Sequence, residues 1–255
     1  MQRAWLAAGV VTAALMTSGC VIVVADDDAA KMHFDGHRQD GFIVLDRNGD
    51  YSRIGGDTNL RGFVGGDVSL ISGDVEMDEI TIQGDLSIAA GDVDFTGRVE
   101  GEASIAGGDV TWDGEAGDEL SIAAGELMVR GRVEGEGSFA AASMHIESEI
   151  DGRLVAQADD MYVAGRVNNR IKLIAADEIR RSRRDEPDHG RIELNGYVAD
   201  GGEVCTRTLI VGPDAQINGV LEVWAEEAPQ VNSAARVADL RFNPRDGRDC
   251  DRYID

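Results

Sequence analysis

From about Thr58 onward, apolar residues fall at every second position, and the alternation itself repeats every seventeen residues. Val75, Val93, Val110, Leu127, Met144 and Met161 follow one another at steps of 18, 17, 17, 17 and 17 residues. A second apolar column lies two positions on, through Met77, Phe95, Trp112, Val129, Ile146 and Val163. A glycine column follows in Gly97, Gly114, Gly131 and Gly165, with Ser148 as its exception. Then come Ile82, Val99, Ala116, Val133, Ile150 and Val167, and after them Leu86, Ala103, Leu120, Gly137, Leu154 and Ile171. An earlier unit with Leu60, Gly62, Val64, Val68 and Leu70 fits the same frame.

A spacing of two with one apolar face marks half-buried strands, and no stretch of the repeat holds the 3.6 period of an amphipathic helix. Fixed self-similarity of this length marks a stacked repeat architecture. Three short strands in each unit, separated by Gly and Asp corners, describe one coil of a parallel β-helix. The expected fold is therefore all-β, a parallel β-helix (solenoid) with coils of 17–18 residues and three short strands per coil. It is expected over residues 51–224, with a charged segment at 225–255 capping the last coil. Equivalent columns then meet themselves at the strand spacing of ~4.8 Å and build a continuous aliphatic core. Ile192, Leu194, Gly196 and Val198 resume the pattern late in the chain. Ala215, Ile217, Gly219 and Leu221 repeat it, which implies an insertion around Asp200 to Glu203.

The polar columns test the same frame. Arg98, Glu115, Arg132, Glu149 and Arg166 alternate in sign on successive coils, as neighbouring strands favour. Two other columns are acidic. Asp67, Asp85, Glu102, Glu119 and Glu136 precede a switch to Arg153 and Arg170, while Asp74, Asp92, Asp109, Glu126, Asp160 and Glu178 form a second row broken by Ser143. Like charges ~4.8 Å apart repel by about 1 kcal/mol in bulk water, and splaying outward relieves this. The alternative is weak Ca²⁺ coordination by corner carboxylates, with Asp74, Asp92, Asp109 and Glu126 as candidates. The spacing is not that of the nine-residue glycine-rich calcium repeat.

Composition sharpens the picture. With 24 basic against 48 acidic residues the net charge is −24, which excludes a nucleic-acid partner that needs a basic footprint. Thirty-two glycines beside four prolines exclude collagen and proline-rich linkers and suit repeated corners. At 43% apolar residues the chain is too hydrophobic to be a disordered acidic segment.

The first residues read as an export signal. Arg3 precedes the uncharged apolar run Trp5 to Met16, and Thr17-Ser18-Gly19 places small residues before Cys20. This layout resembles a bacterial lipobox, with Thr17 where leucine is usual. The resemblance implies a signal peptide over residues 1–19, a diacylated Cys20 as mature N-terminus, and a membrane partner through that lipid. Val21 after the cysteine resembles lipoproteins sorted to the outer membrane of a Gram-negative envelope. Two alternatives stay open: cleavage after Val23-Val24-Ala25 to release a soluble secreted or periplasmic protein, or an uncleaved anchor from Trp5 to Ala25. Residues 20–50 read as an acidic flexible linker, in which His33 and His37 are solvated. Export leaves Cys205 and Cys250 as the pair in an oxidising compartment, so a disulfide closing a loop of about 45 residues is expected. It contributes roughly 4 kcal/mol in the chain-entropy model.

Units such as GDVDFTGRVEGEASIAG and GELMVRGRVEGEGSFAA, and VGPDAQINGVLEV from Val211 to Val223, resemble the repeats of bactofilins, polymer-forming β-helix proteins. The resemblance covers about Thr58 to Val223 and implies a non-catalytic scaffold that assembles end to end through its open coil edges. The export signal departs from a family that works on the cytoplasmic side. The repeat is interrupted by Arg180, Arg181, Arg183 and Arg184 in an insertion at 180–190, read as a solvated loop or as a contact for an anionic envelope component or a second copy. No phosphate loop, GxSxG motif or paired-cysteine zinc pattern is present, and His145 stands on an outward position without an evident carboxylate or hydroxyl partner. The expectation is a structural, non-enzymatic protein of the cell envelope without a resident cofactor. A surface adhesin-like module for carbohydrate or divalent cations is the alternative.

Overall fold

Alternating inward aliphatic and outward polar residues make each strand one-sided, and a one-sided parallel strand is stable only when its edges are paired and its apolar face is covered. The chain meets both demands by coiling upon itself. A computed structural model describes residues 36–39, 41–175, 190–245, 250 and 253. They belong to one unit, Phe34–Asp255. The fold is a parallel β-solenoid of about 11 turns, almost entirely strand.

The predicted register holds through the middle of the chain. Val93 pairs with Val110, Phe95 with Trp112, Gly97 with Gly114 and Arg98 with Glu115. The next coil continues with Leu127, Val129, Gly131 and Arg132. Each regular coil has three sides, but its first two run as one bent strand. Asp92–Val99 turns the corner at Gly97, and Ala103–Ala106 forms the third side. From Ser143 the first two sides are separate strands, as in Ser143–Ile146 and Glu149–Ile150 around Ser148 and in Asp160–Val163 and Arg166–Val167 around Gly165. The glycine is required by the bend. Gly131 has φ of +91°, and a Cβ there would lie 2.0 Å from the Gly114 carbonyl oxygen of the coil below. The one 18-residue step has a local cause. Met77 pairs with Phe95 but Ile80 with Gly97, so Asp78 and Glu79 accommodate one extra residue as a bulge, with Glu79 at φ 49°.

Inside, the columns form an unbroken stack from Ile43 to Ala225. Phe95 and Trp112 occupy the same column with rings 4.1 Å apart and 3° from parallel. Gly114 leaves room for them, because a Cβ there would meet Phe95 Cε1 at 2.7 Å.

Three boundaries differ from those expected from the pattern. The solenoid begins before residue 51: Phe42–Arg47 stacks in parallel on Thr58–Val64 and buries Ile43 and Leu45, so the end of the expected linker is the first coil. It also runs past residue 224, because Arg236–Pro244 stacks on Gln216–Ala225 as a further coil rather than a cap. The insertion near Asp200 is absent. Gly202–Thr206 lies regularly on Ile171–Ala175, and Ile192 pairs with Leu209, not Ala215. The two extra residues fall instead between Val211 and Gln216, since Leu194 pairs with Val211 but Tyr197 with Gln216. A turn around Gly212-Pro213 absorbs them.

Candidate functional site

The solenoid places every polar column on a corner or a flat face, so its surface chemistry is set by what equivalent residues do to one another at one-coil spacing. The first acidic row is a ladder. The Asp67 N–H donates to Asp50 Oδ1 at 3.0 Å, that of Asp85 to Asp67 Oδ1 at 3.0 Å, and that of Glu102 to Asp85 Oδ1 at 2.9 Å. The second row repeats the device: the N–H groups of Asp74, Asp92 and Asp109 donate to Oδ1 of Asp57, Asp74 and Asp92 at 3.3, 3.3 and 3.4 Å. These carboxylates do not splay outward. Each turns one oxygen along the axis to accept the amide of the coil above, and a charged acceptor strengthens that bond.

This placement bears on the calcium candidates. Asp74, Asp92 and Asp109 share one corner, yet Asp74 and Asp92 each give an oxygen to the backbone ladder. Glu126 follows at the next register position, opposite Asp109. Among the described residues no three His, Cys, Asp or Glu side chains come together in a group able to hold a metal.

Further along the first row the ladder gives way to repulsion and then to pairing. Burial, followed by the neighbouring charges of Glu102, Glu136 and Asp118, raises the Glu119 carboxyl above its ordinary pKa. Arg153 then meets Glu136 through two parallel bonds of 3.1 and 3.2 Å. The column of alternating sign stacks in the expected register, and two of its neighbouring pairs meet by charge. Arg98 pairs with Glu115, Arg132 lies 3.7 Å from Glu149, and the Arg166 guanidinium sits 4.2 Å over the Tyr197 ring. Asp151 joins this column sideways. The Asn168 amide, and after it the Arg132 guanidinium, hold its carboxyl below the usual range by hydrogen bonding.

His145 has the partner that the sequence did not disclose. Its Nε2 lies 2.9 Å from Glu147 Oε1, and its ring packs 4.6 Å from that of Tyr162 on the next coil. Hydrogen bonds from His145 and then Arg130 lower the Glu147 pKa. Ser143, His145, Asp160, Tyr162, Arg191 and Glu193 line a shallow depression of about 380 Å³ on this face. Arg191 and Glu193 pair across it at 3.1 Å. The signal was present in the sequence, as His145 and Glu147 are two apart and Tyr162 is seventeen beyond His145. Only the pairing direction was lacking.

At the far end of the chain, Cys205 and Cys250 form a disulfide with Cα atoms 5.8 Å apart, both fully buried. Cys205 is an outward residue in line with Ile174 and Trp224, and Tyr253 packs on this small external cluster. Arg245 is buried beside it, donating to Glu226 Oε1 at 2.8 Å and to Cys250 Sγ at 3.3 Å, while the Tyr253 hydroxyl donates to the Arg245 carbonyl at 2.8 Å. Arg245, Cys250 and Tyr253 therefore lie along the side of the solenoid, not over its end. The leader with Cys20, and the arginines 180, 181, 183 and 184, lie outside the described residues.

Fold and surface together define a class, the parallel β-solenoid repeat proteins. Comparison with protein-family models, curated proteins and solved structures finds no match.

Proposed function

We propose that this chain is a non-catalytic structural protein of the cell envelope, a bactofilin-like scaffold held at the membrane by lipidated Cys20. One observation carries the reading. The aliphatic core continues to the C-terminal coil and ends there on strand edges that no described strand meets and on partly exposed apolar residues, as suits an element that stacks on another. Backbone-to-carboxylate ladders along two corners and ion pairs along a face support it, since they stiffen the rod without using a cleft. The apolar leader ending at Cys20 supports an outer-membrane or periplasmic site, and the Arg-rich segment suits an anionic envelope component.

Metabolic labelling with a fatty acid tests the location, comparing the natural chain with Cys20→Ser and fractionating the membranes. Label and membrane association are expected in the first and absent from the second. Equal labelling of both removes the lipid anchor from the proposal.

A binding module for surface carbohydrate or cations is the second reading. The depression around His145, Tyr162, Arg191 and Glu193 favours it, because a ring pair with flanking carboxylate and guanidinium groups offers both apolar contact and hydrogen bonds.

A further inference from the structure

The two ends of the solenoid are built differently. At the N-terminal end Gly36–Gln39 folds back in antiparallel pairing on the first coil, Gly36 opposite Leu45 and Gln39 opposite Phe42. The Phe42–Arg47 edge there already has a partner, while Tyr51–Ile54 on another side of that coil is paired on one side only among the described residues and sets half-buried Tyr51 and Arg53 in the inward columns of Val68 and Leu70. At the C-terminal end, Gln230–Val231 and Arg236–Pro244 are paired on one side only, and no strand among the described residues meets their outer edge.

That edge carries the last layer of the core. Val231 continues the Val211 column, Val237 that of Ile217, Leu240 that of Leu221 and Phe242 that of Val223. The four residues beneath are buried, whereas Val231 is 48% and Phe242 36% exposed, with Val237 and Leu240 half-buried. The described residues beyond Pro244, Arg245, Cys250 and Tyr253, do not cover this layer. Cys250 is bonded to Cys205, which stands below Trp224, and Trp224 stands below Asn243 of the last coil. The disulfide and buried Arg245 thus hold Cys250 against a strand two coils back from the end.

A bare edge strand over an open core layer is a pairing template, and its own sequence selects the occupant. Antiparallel pairing of Arg236–Pro244 with the same strand of a second copy, centred on Leu240, sets Leu240 against Leu240. It sets Asp239 against the second copy's Arg241, and Arg241 against the second copy's Asp239. Both charges are exposed on the outward side, where Arg241 now rests 3.0 Å from its own Asp239 and 3.8 Å from Glu222. Opposite charges directly across an antiparallel pair favour that register, and like charges oppose it. Pro244, without an N–H, falls at the margin of the paired stretch.

We infer that the C-terminal coil is a homotypic docking surface joining two copies about a two-fold axis, and that assembly closes at two because the opposite end carries the hairpin on one side and Tyr51 and Arg53 on another, not an open apolar layer. The inference rests on the scaffold reading and gives its end-to-end contact the form of an isologous dimer.

Sedimentation of the full chain over a wide concentration range tests it, together with Asp239→Arg and Arg241→Asp. The natural chain is expected to reach twice the monomer mass and stop. Each variant places like charges opposite one another twice and is expected to weaken the dimer on the order of tenfold. An equimolar mixture of the two restores opposite pairs and should restore the dimer. Leu240→Cys supplies a second readout, a covalent dimer on mild oxidation. Growth into filaments overturns closure at two while leaving the scaffold intact. A monomer at every concentration overturns the docking surface, and a dimer indifferent to both charge reversals, or unlinked Cys at position 240, overturns the register. Membrane location is scored separately by the labelling experiment, so the two failures do not mimic each other.

Discussion

Replacing Gly131 by alanine probes the bend that gives every regular coil its shape. The residue sits at φ +91°, and the added Cβ would lie 2.0 Å from Gly114 O, 2.9 Å from Gly114 C and 3.0 Å from Gly114 N. These are ladder atoms, not the tip of a flexible side chain, so relief requires the two coils to separate locally. A left-handed backbone costs a non-glycine residue about 1–2 kcal/mol. One or two weakened ladder bonds add about 1 kcal/mol each, for a total of about 2–4 kcal/mol. At about 2–4 °C per kcal/mol for a chain of this size, the melting temperature should fall by roughly 5–15 °C. Ser148→Ala is the matched control in the same column. Ser148 has no positive φ, and its buried Oγ has no hydrogen-bond partner, so its removal should be neutral or slightly stabilising. Thermal unfolding followed by circular dichroism reads both. Because coils touch only their neighbours, hydrogen exchange should accelerate around Gly114 to Ser148 and stay unchanged near Val64. A Gly131→Ala protein that melts with the natural one, or a Ser148→Ala protein that falls equally far, would refute the reasoning.

Glu119→Gln should raise stability at neutral pH. A carboxyl whose pKa is raised by folding binds more protons in the native state, so its contribution falls as pH rises through its folded value. Melts at a series of rising pH values should show the natural chain losing ground on the Gln variant, and parallel curves would contradict the cause assigned. Arg132→Glu sets a carboxylate between Glu115 and Glu149 and removes the bond to Asp151, and a lower midpoint is expected in denaturant unfolding. An unchanged midpoint there means that the alternating column is decorative. Cys250→Ser should free the tail from the side of the solenoid. Proteolysis after residue 245 is then expected while the coils stay resistant, whereas collapse of the whole rod would make the disulfide a support of the core.

The repeat was legible in the sequence because it is written many times over. A column such as Val93, Val110 and Leu127 fixes which face is inward and which coil lies above, and the sign alternation of Arg98, Glu115 and Arg132 checks the same frame. Single-copy features were not legible. Phe42-Ile43-Val44-Leu45 carries apolar residues on both parities and no glycine corner, so nothing in it announces a first coil. Arg236–Pro244 breaks its alternation between Val237 and Leu240, where the register also shifts. The residues from Val211 to Gln216 show the cost of matching letters alone. Ala215 resembles an inward position of Ile192 by its neighbours, yet hydrogen bonding puts Leu209 there.

What the sequence determined by itself was therefore the periodic part: an all-β solenoid, its inward columns, its charged column and the two cysteines that pair. Those follow from periodicity and burial, which are properties of residue order. What only the tertiary structure decided was direction. An aspartate on a corner can splay into water or turn along the axis to the next amide, and its letter is the same in either case. The tail after Pro244 can cover the last coil or be drawn back by Cys250, and one disulfide in space settles it. The open C-terminal layer, on which the proposed assembly turns, exists because that choice leaves Val231 and Phe242 with a core beneath them and nothing described above.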